Sequence, residues 1–189
     1  MMLKWTNLPN LLSIFRLVAA PFLIYIAWSG RHNFFLVLLA TSLVTDAIDG
    51  FIARKLGVVS DLGAKLDSLG DLAIYFAVPL CAWWLWPEII IREVFFVLLA
   101  IGAYCVPILF ALVKFGEMSS YHTLATKIEA VLMSIAVFLL FIADIAWPFR
   151  LAVILQIFVA GEEIAITLLL PKLQSNVRSL WHVIKQKQP

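Results

Sequence analysis

Six apolar runs follow one another along this chain, at 9–29, 33–55, 62–86, 90–114, 122–146 and 148–171. A hydrocarbon core about 30 Å thick takes roughly 20 helical residues to cross, and backbone polar groups in lipid must find partners inside their own segment. Each run is therefore expected to be a transmembrane helix, and the fold to be all-α: a bundle of six transmembrane helices with no sheet. Composition agrees, since 63% of the 189 residues are hydrophobic, only 14% are charged, and the mean hydropathy is +1.01. A soluble domain sits near half apolar and about a quarter charged, so that class is excluded.

Breakers separate the runs: "SGRHN", "LGVVS", "WPE", "KFGEMSS" and "WP". No Ser/Gly/Pro-rich linker, low-complexity tract or fixed-period repeat divides the chain, so residues 1–189 are expected to form a single membrane-embedded domain, with a juxtamembrane segment at 1–8. No small-residue cleavage site follows the first run, which is read as a mature helix, not a leader. Cys81 and Cys105 both fall inside apolar runs without metal-ligand spacing and are expected to be packing residues. Beyond Pro171, Leu173, Val177, Leu180, Trp181 and Ile184 share one helical stripe, which makes 172–189 an expected amphipathic helix on the membrane surface; the bland alternative is a frayed tail.

Basic residues set the orientation. With the N-terminus inside, that side holds Lys4, Arg54, Lys55, Lys65, Lys114, Lys127, Lys172, Arg178, Lys185 and Lys187, and the other only Arg31, Arg92 and Arg150. Ten against three is a strong positive-inside bias. The expectation is a multi-pass protein of the cell's inner or plasma membrane with both termini cytoplasmic.

Against this apolar background, residues 44–71, "VTDAIDGFIARKLGVVSDLGAKLDSLGD", hold five of the chain's six aspartates. On a helix Asp46 and Asp49 share a face, as do Asp67 and Asp71. Gly50 and Ala53 extend the first stripe, and Gly63 lies one turn before Asp67. Two helices joined by a short cytoplasmic loop are expected to pack antiparallel and to bring four carboxylates into one small volume. Like charges a few Å apart repel or take up protons, so the cluster calls for cations. Oxygen-only ligands suit Mg²⁺, Mn²⁺ or Ca²⁺ rather than zinc. The alternative, salt bridges with Arg54, Lys55 and Lys65, suits one or two aspartates better than four.

The residues read Asp46-x2-Asp49-Gly50-x2-Ala53-Arg54-x8-Gly63-x3-Asp67-x3-Asp71. This resembles the complete signature of the CDP-alcohol phosphotransferase family, membrane enzymes of phospholipid synthesis. The opening "NLPNLLSIFRLVAAP" is similar to that of phosphatidylglycerophosphate and cardiolipin synthases. The resemblance implies that Asp46, Asp49, Asp67 and Asp71 hold one or two Mg²⁺ or Mn²⁺ ions on the pyrophosphate of a CDP-linked lipid. It further implies that Asp71 is the proton acceptor for the attacking alcohol, and that Gly50, Ala53, Arg54, Gly63 and Ser60 lie at the CDP moiety. The stripe Asn10, Ser13 and Arg16 would face the nucleotide and lipid phosphate, although a lone arginine in an apolar helix also reads as one that snorkels to the interface. The partners implied are CDP-diacylglycerol, a small or lipid alcohol acceptor, membrane lipids and a second copy of the chain in a homodimer; no nucleic acid is expected.

Glycerol 3-phosphate is the leading acceptor, with phosphatidylglycerol, serine and inositol phosphate as alternatives. Lys127, one turn into the fifth run after "SYHTLAT", is a candidate anchor for an acceptor's phosphate, beside its plain reading as a positive-inside lysine. The pattern departs from phosphatidylglycerophosphate synthases at "TKIEA", where Glu129 and Ala130 replace a lysine and a threonine, and "LDSLGD" is similar to phosphatidylserine synthases. His122 reads as an interfacial histidine. Glu162 and Glu163, deep in the last run, are open between pairing with Arg16 or Lys127, protonation, and a place in the acceptor pocket. Rival readings are a cation-coupled transporter and a catalytically dead relative. The lack of repeat symmetry and the cluster's place at one membrane face stand against the first, and the unbroken set of four aspartates against the second.

Overall fold

The computed structural model describes residues 8–56, 61–118, 121, 123–174, 177 and 179–187; the side chains of 8–10, 47, 49–56, 61, 62, 64, 65, 186 and 187 are outside the description. Every element among the described residues is helical: α1 (Leu8–Trp28), α2 (His32–Leu56), α3 (Asp61–Leu85), α4 (Pro87–Arg92), α5 (Val94–Phe115), α6 (Leu124–Ala143), α7 (Trp147–Leu169) and α8 (Leu180–Lys187). Five of them, α1, α3, α5, α6 and α7, are long and apolar enough to cross a membrane. In α2 the apolar part stops at His32–Asp46, because Asp46, Asp49, Arg54 and Lys55 occupy the remainder. Large apolar side chains such as Phe22, Phe34, Phe95, Val113 and Phe158 are exposed, as lipid-facing positions of an integral membrane protein are.

Two compact units make up the chain, Met1–Ile90 and Ile91–Pro189. In the first, α1 packs along both α2 and α3. Its interior mixes small residues with branched and aromatic ones: Ala19, Ala20, Leu23 and Ala27 of α1, Phe35 and Leu39 of α2, and Ile74, Ala77, Cys81 and Ala82 of α3. Lipid supplies no hydrophobic drive between helices, so small side chains that let backbones approach carry the packing. At the far end from the aspartates, His32 Nε2 lies 2.8 Å from the Leu85 carbonyl oxygen. The Trp86 ring meets His32 edge-on at 5.0 Å and Phe35 at 5.8 Å, so Trp86 serves packing while Trp83, Trp84 and Trp147 are exposed.

In the second unit α7 is the centre, with α5, α6 and α8 packed against it. The breakers do the work expected of them. Gly116 closes α5 in the left-handed region (φ 74°), and Asp144 does the same for α6 (φ 55°). Thr123 caps α6, its Oγ1 accepting a hydrogen bond from the Thr126 amide at 3.2 Å. Lys114 Nζ donates to the carbonyls of Thr167, Leu168 and Leu170 at 2.8–3.0 Å, placing a cation on the negative end of α7. Where α4, α6 and α7 end or begin, Arg150 grips the buried Glu93 through Nε (2.9 Å) and Nη2 (2.8 Å), and Arg92 bridges Glu93 (3.1 Å) and Asp144 (3.1 Å).

The tail departs from its expected stripe. Val177 and Val183 are buried in a cluster with Tyr121, Ile166 and Leu170, and Leu173 and Leu180 pack on it. Trp181 and Ile184 face outward, with Lys185 Nζ 5.6 Å from the Trp181 ring. The helix thus docks one side on α7, through Val183 together with Leu180 of the stripe, and keeps only part of its apolar surface for a membrane.

Candidate active site

Within the first unit three carboxylates and an arginine meet at one point. Asp46 sits on α2, Asp67 and Asp71 lie one turn apart on α3, and ligand oxygens of the three carboxylates all fall within 4.8 Å of one another. The helix that joins them is α1. Arg16, two turns into α1, is 2% exposed and bonds Asp46 and Asp71 through Nη1 and Asp67 through Nη2. It does not snorkel, and the carboxylates meet across α1 rather than through a simple α2–α3 hairpin.

Close packing of α1 on α3 makes this reach possible. Gly70 stands between Asp67 and Asp71, and a Cβ there would lie 3.3 Å from the Ser13 carbonyl oxygen and 3.4 Å from Arg16 Cβ. Ser13 is itself buried. The glycine lets α1 approach this closely, since a side chain here would press on α1's backbone unless α1 gave by a few tenths of an ångström.

Three aspartates in contact leave a net charge of −2 after Arg16. Oxygen ligands at this spacing match what hard divalent cations take from proteins, so the donor set fits a metal ion. Asp49 lies on α2 three residues after Asp46, on the same helical face. The side chains of Asp49, Gly50, Ala53, Arg54 and Asn10 lie outside the described residues, as does Ser60 altogether, and with them the contacts expected around CDP. Gly63 is placed on α3 one turn before Asp67.

The sequence profile of the family described as CDP-alcohol phosphatidyltransferase matches residues 6–171, a stretch that includes every residue of this centre and runs through both units. The chain belongs to the CDP-alcohol phosphatidyltransferase family. It is 39% identical over 70 residues to an Aquifex aeolicus protein named CDP-diacylglycerol–glycerol-3-phosphate 3-phosphatidyltransferase, covering 37% of this chain and 39% of that one. A Methanocaldococcus jannaschii protein named CDP-diacylglycerol–serine O-phosphatidyltransferase is 45% identical over 42 residues, covering 22% of this chain and 21% of the other. A probable phosphatidylglycerophosphate synthase of Mycobacterium tuberculosis is 30% identical over 100 residues, covering 46% and 48%. The chain thus matches less than half the length of each of these relatives. No solved structure matches it significantly.

A second group of polar residues in this family member lies within the second unit. Glu162 accepts hydrogen bonds from Thr123 Oγ1 (3.4 Å) and from the Leu180 amide that opens α8 (3.0 Å), and Glu163 accepts one from Thr126 Oγ1 (3.3 Å). Glu129, one turn further along α6, is buried, and its Oε1 has no hydrogen-bond partner. Lys127 is exposed in the first turn of α6. Arg16, one of the partners considered for the α7 glutamates, is engaged by the aspartates, and threonines stand at the glutamates instead. His122 lies outside the described residues. Sequence reasoning missed Gly70 and the pairing of Arg16 with aspartate. The signal for both was a buried-helix arginine and a glycine set between two aspartates.

Proposed function

We propose that this protein transfers the phosphatidyl group of CDP-diacylglycerol to an alcohol, releasing CMP, at the centre formed by Asp46, Asp67 and Asp71. The observation that carries this reading is the convergence of three carboxylates from α2 and α3 within 4.8 Å, in a chain of this family. Asp46, Asp67 and Asp71, with Asp49 beside them, would hold Mg²⁺ or Mn²⁺. Such an ion supplies charge neutralisation for the transferring phosphoryl group and the leaving phosphate.

Asp71 is the proposed general base. It accepts the acceptor's hydroxyl proton as that oxygen bonds to the lipid-side phosphorus, and the bond from this phosphorus to the oxygen of CMP breaks. Such positioned proton transfer contributes about 10²–10⁴-fold. Gly50, Ala53, Arg54, Ser60 and Gly63 are proposed at the CDP moiety, with Asn10 and Ser13. The names of the Aquifex and Mycobacterium relatives favour glycerol 3-phosphate as acceptor, and Lys127, exposed on α6, is the proposed anchor for its phosphate. The proposal extends to a reaction on the cytoplasmic side, in a homodimer.

The test is CMP release by purified protein given CDP-diacylglycerol, Mg²⁺ or Mn²⁺, and separately glycerol 3-phosphate, serine, inositol phosphate and phosphatidylglycerol. Release that needs both ion and acceptor, and stops with EDTA, is expected. Movement of a solute across liposomes with no CMP formed from any acceptor would replace the transferase reading with the transporter.

A further inference from the structure

Arg16 and a divalent ion have claims on the same three carboxylates. The guanidinium bonds Oδ1 of Asp46, Oδ1 of Asp67 and Oδ1 of Asp71, one oxygen from each carboxylate. Those same three residues are the ones whose single ligand atoms fall close enough together to hold a metal ion. A guanidinium bonds carboxylate oxygens at about 2.7–2.9 Å, whereas Mg²⁺ takes them at about 2.0–2.1 Å. With the guanidinium on one oxygen of each carboxylate, an ion entering this small volume either displaces it or takes the other oxygens beside it, where the two cations repel each other.

Arg16 is also held where it is. It is 2% exposed, and Gly70 brings the α3 backbone so near that a Cβ there would stand 3.9 Å from Arg16 Cζ. Its alternatives are the second oxygens of the same carboxylates or another anion brought to the site. Leaving it unpaired is costly, because a buried charge that loses its partner carries the full desolvation penalty.

We propose that Arg16 is a built-in counter-cation that competes with the divalent ion for the aspartate triad and so sets its metal affinity. Resting on the transferase reading above, this makes Arg16 a positioning residue with two states. In one it holds the carboxylates of α2 and α3 together against their mutual repulsion. In the other it yields those oxygens to the ion, and the guanidinium pairs with a phosphate oxygen of the arriving CDP-lipid. Ion and nucleotide then favour each other's binding through Arg16, since each relieves a cost imposed by the other.

The experiment is Mn²⁺ binding to purified protein, read as loss of the free-ion EPR signal, with and without CDP, for wild type, Arg16→Met, Arg16→Lys and Asp46→Asn. Without CDP, Arg16→Met is expected to bind Mn²⁺ roughly tenfold or more tightly than wild type, as when charged hydrogen bonds no longer have to be broken. Arg16→Lys should fall between them, and Asp46→Asn should bind most weakly. Adding CDP should tighten Mn²⁺ binding more in wild type than in Arg16→Met. An Arg16→Met affinity equal to or weaker than wild type overturns the inference, and if that variant does not fold, Arg16→Lys decides by the same criterion. Absence of Mn²⁺ binding in wild type overturns the metal reading of the triad as well, whereas normal wild-type binding with unchanged Arg16 variants overturns this inference alone.

Discussion

Asp46, Asp67 and Asp71 each present an oxygen to one small volume, yet their proposed roles separate on substitution. Asp46→Asn keeps shape and removes charge, so metal affinity should fall and excess Mn²⁺ should return part of the rate. Asp71→Asn also removes the proton acceptor, a loss of about 10²–10⁴-fold that added metal does not restore. Metal-titrated CMP release beside CDP protection against thermal unfolding distinguishes the two, and full metal rescue of Asp71→Asn would move the base elsewhere. Both variants also take a partner from Arg16, so their melting temperatures belong beside the rates. The convergence of Asp46, Asp67 and Asp71 was legible in the sequence because their spacing is a helical repeat in a chain otherwise poor in aspartate. The bond to Arg16 was not legible, because it joins residues 55 apart in the chain and depends on how closely α1 meets α3.

At the scale of the helices, Gly70 tests that approach. In an isolated helix Gly70→Ala would gain about 1 kcal/mol of propensity. Here the new Cβ would meet a backbone carbonyl at 3.3 Å, and overpacking costs about 1–3 kcal/mol. The expected result is a lower melting temperature as α1 moves off α3, together with tighter Mn²⁺ binding in the absence of CDP, because Arg16 loosens from Asp67 and Asp71 and competes less for them. A variant as stable and as active as wild type would show that α1 gives way freely. The ion-pair group of the second unit gives a pH test. Hydrogen bonds from Arg150, then Arg92, hold the Glu93 carboxyl below its ordinary range, and Arg92 does the same for Asp144. Depressed carboxyls stabilise the fold above their unfolded values and lose that contribution as pH falls through the folded ones. Thermal stability should therefore drop below about pH 4, and Glu93→Gln should be less stable at neutral pH with a flatter acid limb. Hydropathy and breakers placed five spanning helices within a few residues, since each run is long and uniform. They missed α4, where Pro87 starts a separate turn before Val94, and the docking of α8, which depends on contacts far along the chain.

For the whole molecule the open question is sidedness, and α2 is the helix to ask. Its 25 residues span roughly 37 Å, more than the hydrocarbon core, so its two ends must lie on opposite faces if it crosses. One end follows Arg31; the other carries Arg54 and Lys55 a little more than two turns beyond Asp46. Positive charge is retained on the cytoplasmic side, so the ten-to-three distribution predicts that side for the aspartate end, where the proposed reaction would release CMP. Arg92 and Arg150, two of the three basic residues expected on the opposite side, are moreover bound to Glu93 and Asp144, so the bias would be stronger still in unpaired charge. The prediction is read by cysteine labelling in a background with Cys81 and Cys105 replaced. Lys55→Cys and Lys185→Cys should react with an impermeant thiol reagent only when the cytoplasmic face is open to it, and Arg31→Cys in intact cells. Labelling of Arg31→Cys and Lys55→Cys from the same face would mean that α2 does not cross, and the carboxylate centre would then need a different route to its nucleotide.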